Sequence, residues 1–63
     1  MQIGRRIKQL RQARGLSQAV LAQRAEITRE YVNKLEHGQY DPTVGVLDRL
    51  AKALKVPLVR LLR

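Results

Sequence analysis

Three hydroxyl residues, Ser17, Thr28 and Thr43, each stand directly ahead of a run whose apolar residues recur at helical spacing. A Ser or Thr there accepts a hydrogen bond from an amide two or three positions on, satisfying a donor that every helix start leaves free. Gly15 and Gly38 stand where helices should end, because glycine enters the left-handed backbone region without a Cβ penalty. Together these signals cut the chain into helices. The spacing of Ile3, Ile7 and Leu10 predicts a first helix over residues 3–14. A second runs from the Ser17 cap to around Arg24, with Leu21, Ala22 and Ala25 directed inward, and a third lies between Thr28 and Gly38. The fourth follows Thr43 to around Lys55 on the stripe of Leu47, Leu50, Ala51 and Leu54, and Pro57 suits the first turn of a last short helix, residues 57–62. Nothing reads as a strand, so the expected fold class is all-α with five helices.

Such a chain, 63 residues without a cysteine, can draw on neither disulfides nor a thiolate metal site, and the single His37 cannot build a zinc site alone. Stability has to come from helix packing and caps, and the expectation is one domain over residues 1–63. Thirteen Lys and Arg against five Asp and Glu leave a formal net charge of +8. An excess of that size costs self-repulsion in the folded state and points to a polyanionic partner. Proteins that bind single strands or RNA stack bases on exposed aromatics, and this chain has only Tyr31 and Tyr40. Double-stranded DNA is therefore the favoured partner. No apolar run approaches the ~20 residues needed to span a bilayer and no signal-peptide segment opens the chain, so no membrane partner and a cytoplasmic location are expected. The absence of Trp and Phe weakens a surface-lying membrane helix. Catalysis is disfavoured too, since a lone histidine and scattered carboxylates cannot assemble nucleophile, base and orienting acid. No cofactor or small-molecule ligand is expected, there being no phosphate loop or metal motif.

The stretch "TREYVNKLEHG", Thr28 to Gly38, is unusual in its sidedness. On a helix turning about 100° per residue, Val32 and Leu35 share one side while Arg29, Glu30, Asn33, Lys34 and His37 fan over the other. The second and third helices, each capped, lie within 22 residues, Ser17 to Gly38, and are joined by a short turn. That is the spacing of a helix-turn-helix, whose second helix enters the DNA major groove. A recognition helix needs only a thin seam against its neighbour, because DNA fills its other side.

The segments "IGRRIKQLRQARGLSQAVLAQRA", "VNKLEHGQYDPTVGVLDRLAKALKV" and "PLVRLL" resemble the lambda-repressor-like (Xre/Cro type) helix-turn-helix family over nearly the whole chain. The resemblance rests on Leu16, Ser17 and Gln18 opening the second helix, Leu21 and Ala22 inside it, Leu35, Glu36 and Gly38 closing the third, and Pro42 before the fourth. It implies a compact five-helix lambda-repressor-like bundle that binds duplex DNA sequence-specifically as a transcriptional regulator or repressor, commonly as a homodimer. Carried over position by position, it makes Arg29, Glu30, Asn33 and Lys34 the contacts to bases, with chemistry to match: Arg and Lys donate to guanine, Asn pairs with adenine, Glu accepts from cytosine. It places a phosphate contact at Gln18, beside the Ser17 cap; the amides around Thr43 and Val44 suit a second phosphate by the helix-end mechanism, Tyr31 is within reach of a phosphate or a thymine methyl, and His37 and Gln39 lie where the chain passes near the DNA backbone, as phosphate contacts or a plain loop. Arg11 and Glu36 match a structural ion pair of the family and stay outside the site. The main alternative is a protein-interaction module, such as an antitoxin or adaptor domain, built on the same fold.

Departures from the family pattern carry expectations of their own. Glu26 stands where the turn usually holds glycine, so a non-glycine residue must accept a positive φ there. Lys55 likewise replaces the usual glycine after the fourth helix. Val20 occupies a position that is often acidic. Gly45, inside the fourth helix, would mark a close approach of backbone to DNA or to another helix.

Overall fold

The computed structural model describes residues 3–62, and these form five helices: α1 (Ile3–Ala13), α2 (Gln18–Ala25), α3 (Arg29–Glu36), α4 (Val44–Leu54) and α5 (Val59–Leu62). No strand occurs among the described residues. The three hydroxyl caps form as expected: Ser17, Thr28 and Thr43 accept from the amides of Val20, Tyr31 and Val46 at 3.0, 3.0 and 3.1 Å. Two boundaries differ from the sequence reading. α1 stops one residue early, where the Arg14 amide is shared between the carbonyls of Leu10 and Arg11. α5 starts two residues late, because the amides of Arg60 and Leu61 bond only three residues back, to Pro57 and Leu58, which closes a tighter turn than an α-helix.

Four helix ends close in the same way. The amides of Leu16, Ile27, Gln39 and Val56 reach back five residues to the carbonyls of Arg11, Ala22, Lys34 and Ala51, at 2.9 to 3.1 Å. Each closure needs one residue in the left-handed region. At α1 and α3 it is Gly15 (φ +68°) and Gly38 (φ +75°); at α2 and α4 it is Glu26 (φ +59°) and Lys55 (φ +58°). The expected positive φ at Glu26 is thus present.

α2 packs against α3 and α4, while α1 bridges α3, α4 and α5. Ile7, Leu21, Val32, Leu35, Leu50, Leu54 and Leu61 are all but fully buried at the centre, with Ala22, Ala25 and Ala51 filling the gaps between helices. α1 crosses α3 at Gly4, where an added Cβ would fall 2.0 Å from the Leu35 carbonyl oxygen. Any larger residue would push the two helices apart. Gly45 does not play the helix-packing part expected of it, since the only atom near its Cβ position is Thr43 Oγ1, at 3.9 Å. No helix among the described residues is long and apolar enough to cross a membrane.

Candidate nucleic-acid interface

α3 is fastened along one side. Val32 and Leu35 are sealed in the core, and Glu36 at the helix end is held by three N–H donors. Arg11 donates from Nε to Oε2 at 2.6 Å and from Nη2 to Oε1 at 3.1 Å, and Gln18 Nε2 donates to Oε1 at 3.0 Å. Arg11 also donates from Nη1 to the Leu16 carbonyl at 2.8 Å. The Glu36 side chain is only 1% exposed, and a carboxylate buried that deeply needs its lone pairs satisfied. The pair expected on sequence therefore ties α1, the α1–α2 turn and the end of α3 into one rigid unit.

The other side of α3 is open. Arg29, Glu30, Asn33 and Lys34 are all exposed and together line a shallow depression of about 430 Å³. Gln18 connects the two sides: while its amide nitrogen serves Glu36, its Oε1 accepts from Asn33 Nδ2 at 3.4 Å. Asn33 keeps its Oδ1 and a second N–H to present outward. Lys34 does not bond Glu30; its Nζ lies 3.4 Å from the Tyr40 hydroxyl and 5.3 Å from that ring's centroid. Tyr40 in turn packs on Tyr31, with centroids 5.5 Å apart and ring planes at 54°. This stacking braces the loop after α3 against its first turn.

The remaining predicted residues sit at helix ends. His37, which caps α3, donates from Nδ1 to the Asn33 carbonyl at 2.7 Å, the only direction possible since a carbonyl accepts. Gln39 is exposed, with its amide spent on the Lys34 carbonyl. Ser17 Oγ caps Val20, which leaves the amides of Gln18 and Ala19 at the start of α2 without an intrahelical acceptor. Thr43 does the same for α4, leaving the amides of Val44 and Gly45 free, and Val44 is 75% exposed. Such helix starts attract anions through their amides and the positive end of the dipole. The structure joins Gln18, Asn33, Arg11 and Glu36 into one network and Lys34, Tyr31 and Tyr40 into another. Thr43 and Val44 bond to neither.

Sequence reasoning missed two residues here. The sequence marks Tyr40 only as an aromatic, although it holds Lys34, and gives Gly4 no role, although it sets how closely α1 backs α3. A glycine in the first turn of an otherwise regular helix was the available signal for Gly4. Nothing local could have signalled Tyr40.

Comparison with known proteins agrees with this arrangement. A family model described as helix-turn-helix matches residues 7–61. The HTH-type transcriptional regulator RamB of Mycobacterium tuberculosis is 46% identical over 54 residues, 86% of this chain but 11% of RamB. The chain thus spans a small part of that relative. Among solved structures, the restriction-modification controller protein C.AhdI from Aeromonas hydrophila superposes with a TM-score of 0.93 at 37% identity, covering 95% of this chain and 91% of the other. The DNA-binding domain of the P22 C2 repressor gives a TM-score of 0.94 at 26% identity, covering 98% and 82%.

Proposed function

This chain belongs to the helix-turn-helix family, in its lambda-repressor-like branch, and on that premise we propose that it binds double-stranded DNA sequence-specifically and regulates transcription. α3 lies in the major groove. Arg29, Glu30, Asn33 and Lys34 face the base edges, while Ser17, Gln18 and the start of α4 hold phosphates on either side, joined by Tyr31, His37 and Gln39 near the backbone. The observation that carries this reading is the contrast across α3: a fully sealed inner seam, and an outer face of four exposed polar side chains, of which Asn33 is touched by Gln18 and Lys34 by Tyr40.

Val59 and Leu62 of α5 are 49% and 45% exposed, and they offer a contact for a second copy, so that two recognition helices read half-sites about 34 Å apart. Anisotropy titrations across a range of salt test the DNA reading. Neutralising roughly six phosphates per chain gives a slope of log affinity against log salt near −5. A slope near zero would remove duplex DNA as the partner and leave the protein-interaction module.

A further inference from the structure

The net positive charge of this chain lies outside the helix-turn-helix. Between Gln18 and Glu36, the span of α2 and α3, Arg24, Arg29 and Lys34 are matched by Glu26, Glu30 and Glu36. No carboxylate side chain occurs before Glu26 or after Asp48, so the net charge of +8 comes from outside the helix-turn-helix. In the structure part of that charge gathers on one face. Arg6 of α1 donates from Nη1 to the Arg60 carbonyl of α5 at 3.4 Å, and Arg14 donates from Nη2 to the Lys55 carbonyl at the end of α4 at 3.3 Å. The first of these pairs borders a depression of about 270 Å³ lined by Arg6, Gln9, Leu10, Ala13 and Arg60. The only ion pairs among the described residues, Arg11 with Glu36 and Lys52 with Asp48, leave all four of these cations without a carboxylate.

This face points away from α3. Gly4 and Arg11 mark the side of α1 that meets α3; Arg6, Leu10 and Ala13 lie roughly 140° around the helix from it and Arg14 about 70°, while α5, which carries Arg60, packs on α1 and α4. We propose that the face formed by Arg6, Arg14, Lys55 and Arg60 is a second phosphate-binding surface, which takes the backbone of another DNA duplex while α3 engages the first. One chain then bridges two duplexes. The inference rests on the preceding reading for the first duplex only. Guanidinium groups fit phosphate oxygens with paired N–H donors. Arg14 lies just past the end of α1, about 12 Å from Arg6 at helical rise, the order of a major-groove width, so the two cationic pairs can meet opposite strands. No aromatic lies on the face to stack an unpaired base. Leu10 and Ala13 are too small an apolar floor to anchor an acidic protein segment.

The test uses two short duplexes of unrelated sequence, one labelled with a donor dye and the other with an acceptor, mixed with limiting protein. Energy transfer between them is expected. A variant combining Arg14→Gln, Arg60→Gln and Lys55→Gly should lower that transfer about tenfold or more, while its affinity for one duplex by anisotropy stays within about twofold. Lys55→Gly alone should lower transfer in the same direction and is certain to be accommodated, because glycine suits the +58° φ at that position. Binding of single duplexes without transfer would overturn this inference and leave the first reading intact; no binding of any duplex would overturn that reading as well. Transfer that survives in the triple variant would assign bridging to chain pairing. Equal loss of both quantities would make the face part of the first duplex's contact. Retention of polyglutamate in place of duplex would assign the face to an acidic protein.

Discussion

The inner and outer faces of α3 are built from the same eight residues, yet almost nothing is free on one and little is tied on the other. Inside, Val32 and Leu35 are 0% and 1% exposed, and Glu36 is gripped from two other helices' sequences by Arg11 and Gln18. Outside, Arg29, Glu30, Asn33 and Lys34 stand in solvent, with only Asn33 and Lys34 touched lightly by Gln18 and Tyr40. The difference teaches that a short helix can serve recognition only if its backbone is immobilised by something other than its length. Eight residues are too few to hold a helix on propensity alone. Packing and the Glu36 network supply the rigidity, so the outward side chains meet a partner with their backbone order already established.

Substitutions can break this contrast from either side. The largest effect belongs to the seam: Leu35→Ala should cost about 2–5 kcal/mol through lost burial and a residual cavity, read as a fall in the thermal or denaturant midpoint. An unchanged melt would mean that the inner face is not what holds α3. Next come the outer residues, where Arg29→Ala or Asn33→Ala should cost about 1–3 kcal/mol on a selected site and less on a scrambled duplex, with the melt nearly unmoved. Gln18→Ala should weaken both duplexes alike, since phosphates are the same in each. Should the ratio of the two affinities survive Arg29→Ala and Asn33→Ala, α3 is not the reading helix. The smallest effect sharpens the comparison by leaving both faces alone. Glu26→Gly relieves the left-handed strain in the turn and should stabilise the fold by about 1 kcal/mol or less, the greater freedom of glycine in the unfolded chain offsetting part of the gain. Its site preference should be unchanged.

Local chemistry made much of this legible in advance. Hydroxyl caps, glycine stops and apolar spacing act within a few residues of one another, so Ser17, Thr28 and Thr43 could be assigned to helix starts, and the four outward residues of α3 to one face, without knowing what lay nearby. The ends of α1 and α5 were missed by one and two residues because those boundaries turn on which carbonyl an amide selects, a choice between nearly equal bonds. The Glu26 turn was legible only through resemblance, since nothing in an isolated glutamate announces a positive φ.

What the sequence alone determined, then, was the five-helix order, the two-sidedness of α3 and the excess of cations, all consequences of periodicity and composition. The tertiary structure decided the rest: that Gly4 rather than Gly45 marks a helix crossing, that Tyr40 holds Lys34, that Gln18 spans Glu36 and Asn33, and that Arg6 reaches the Arg60 carbonyl and Arg14 that of Lys55. Each of these joins residues six to fifty-four positions apart, and a pairing at such separation is fixed by how helices pack around a common core and not by any preference of the residues themselves.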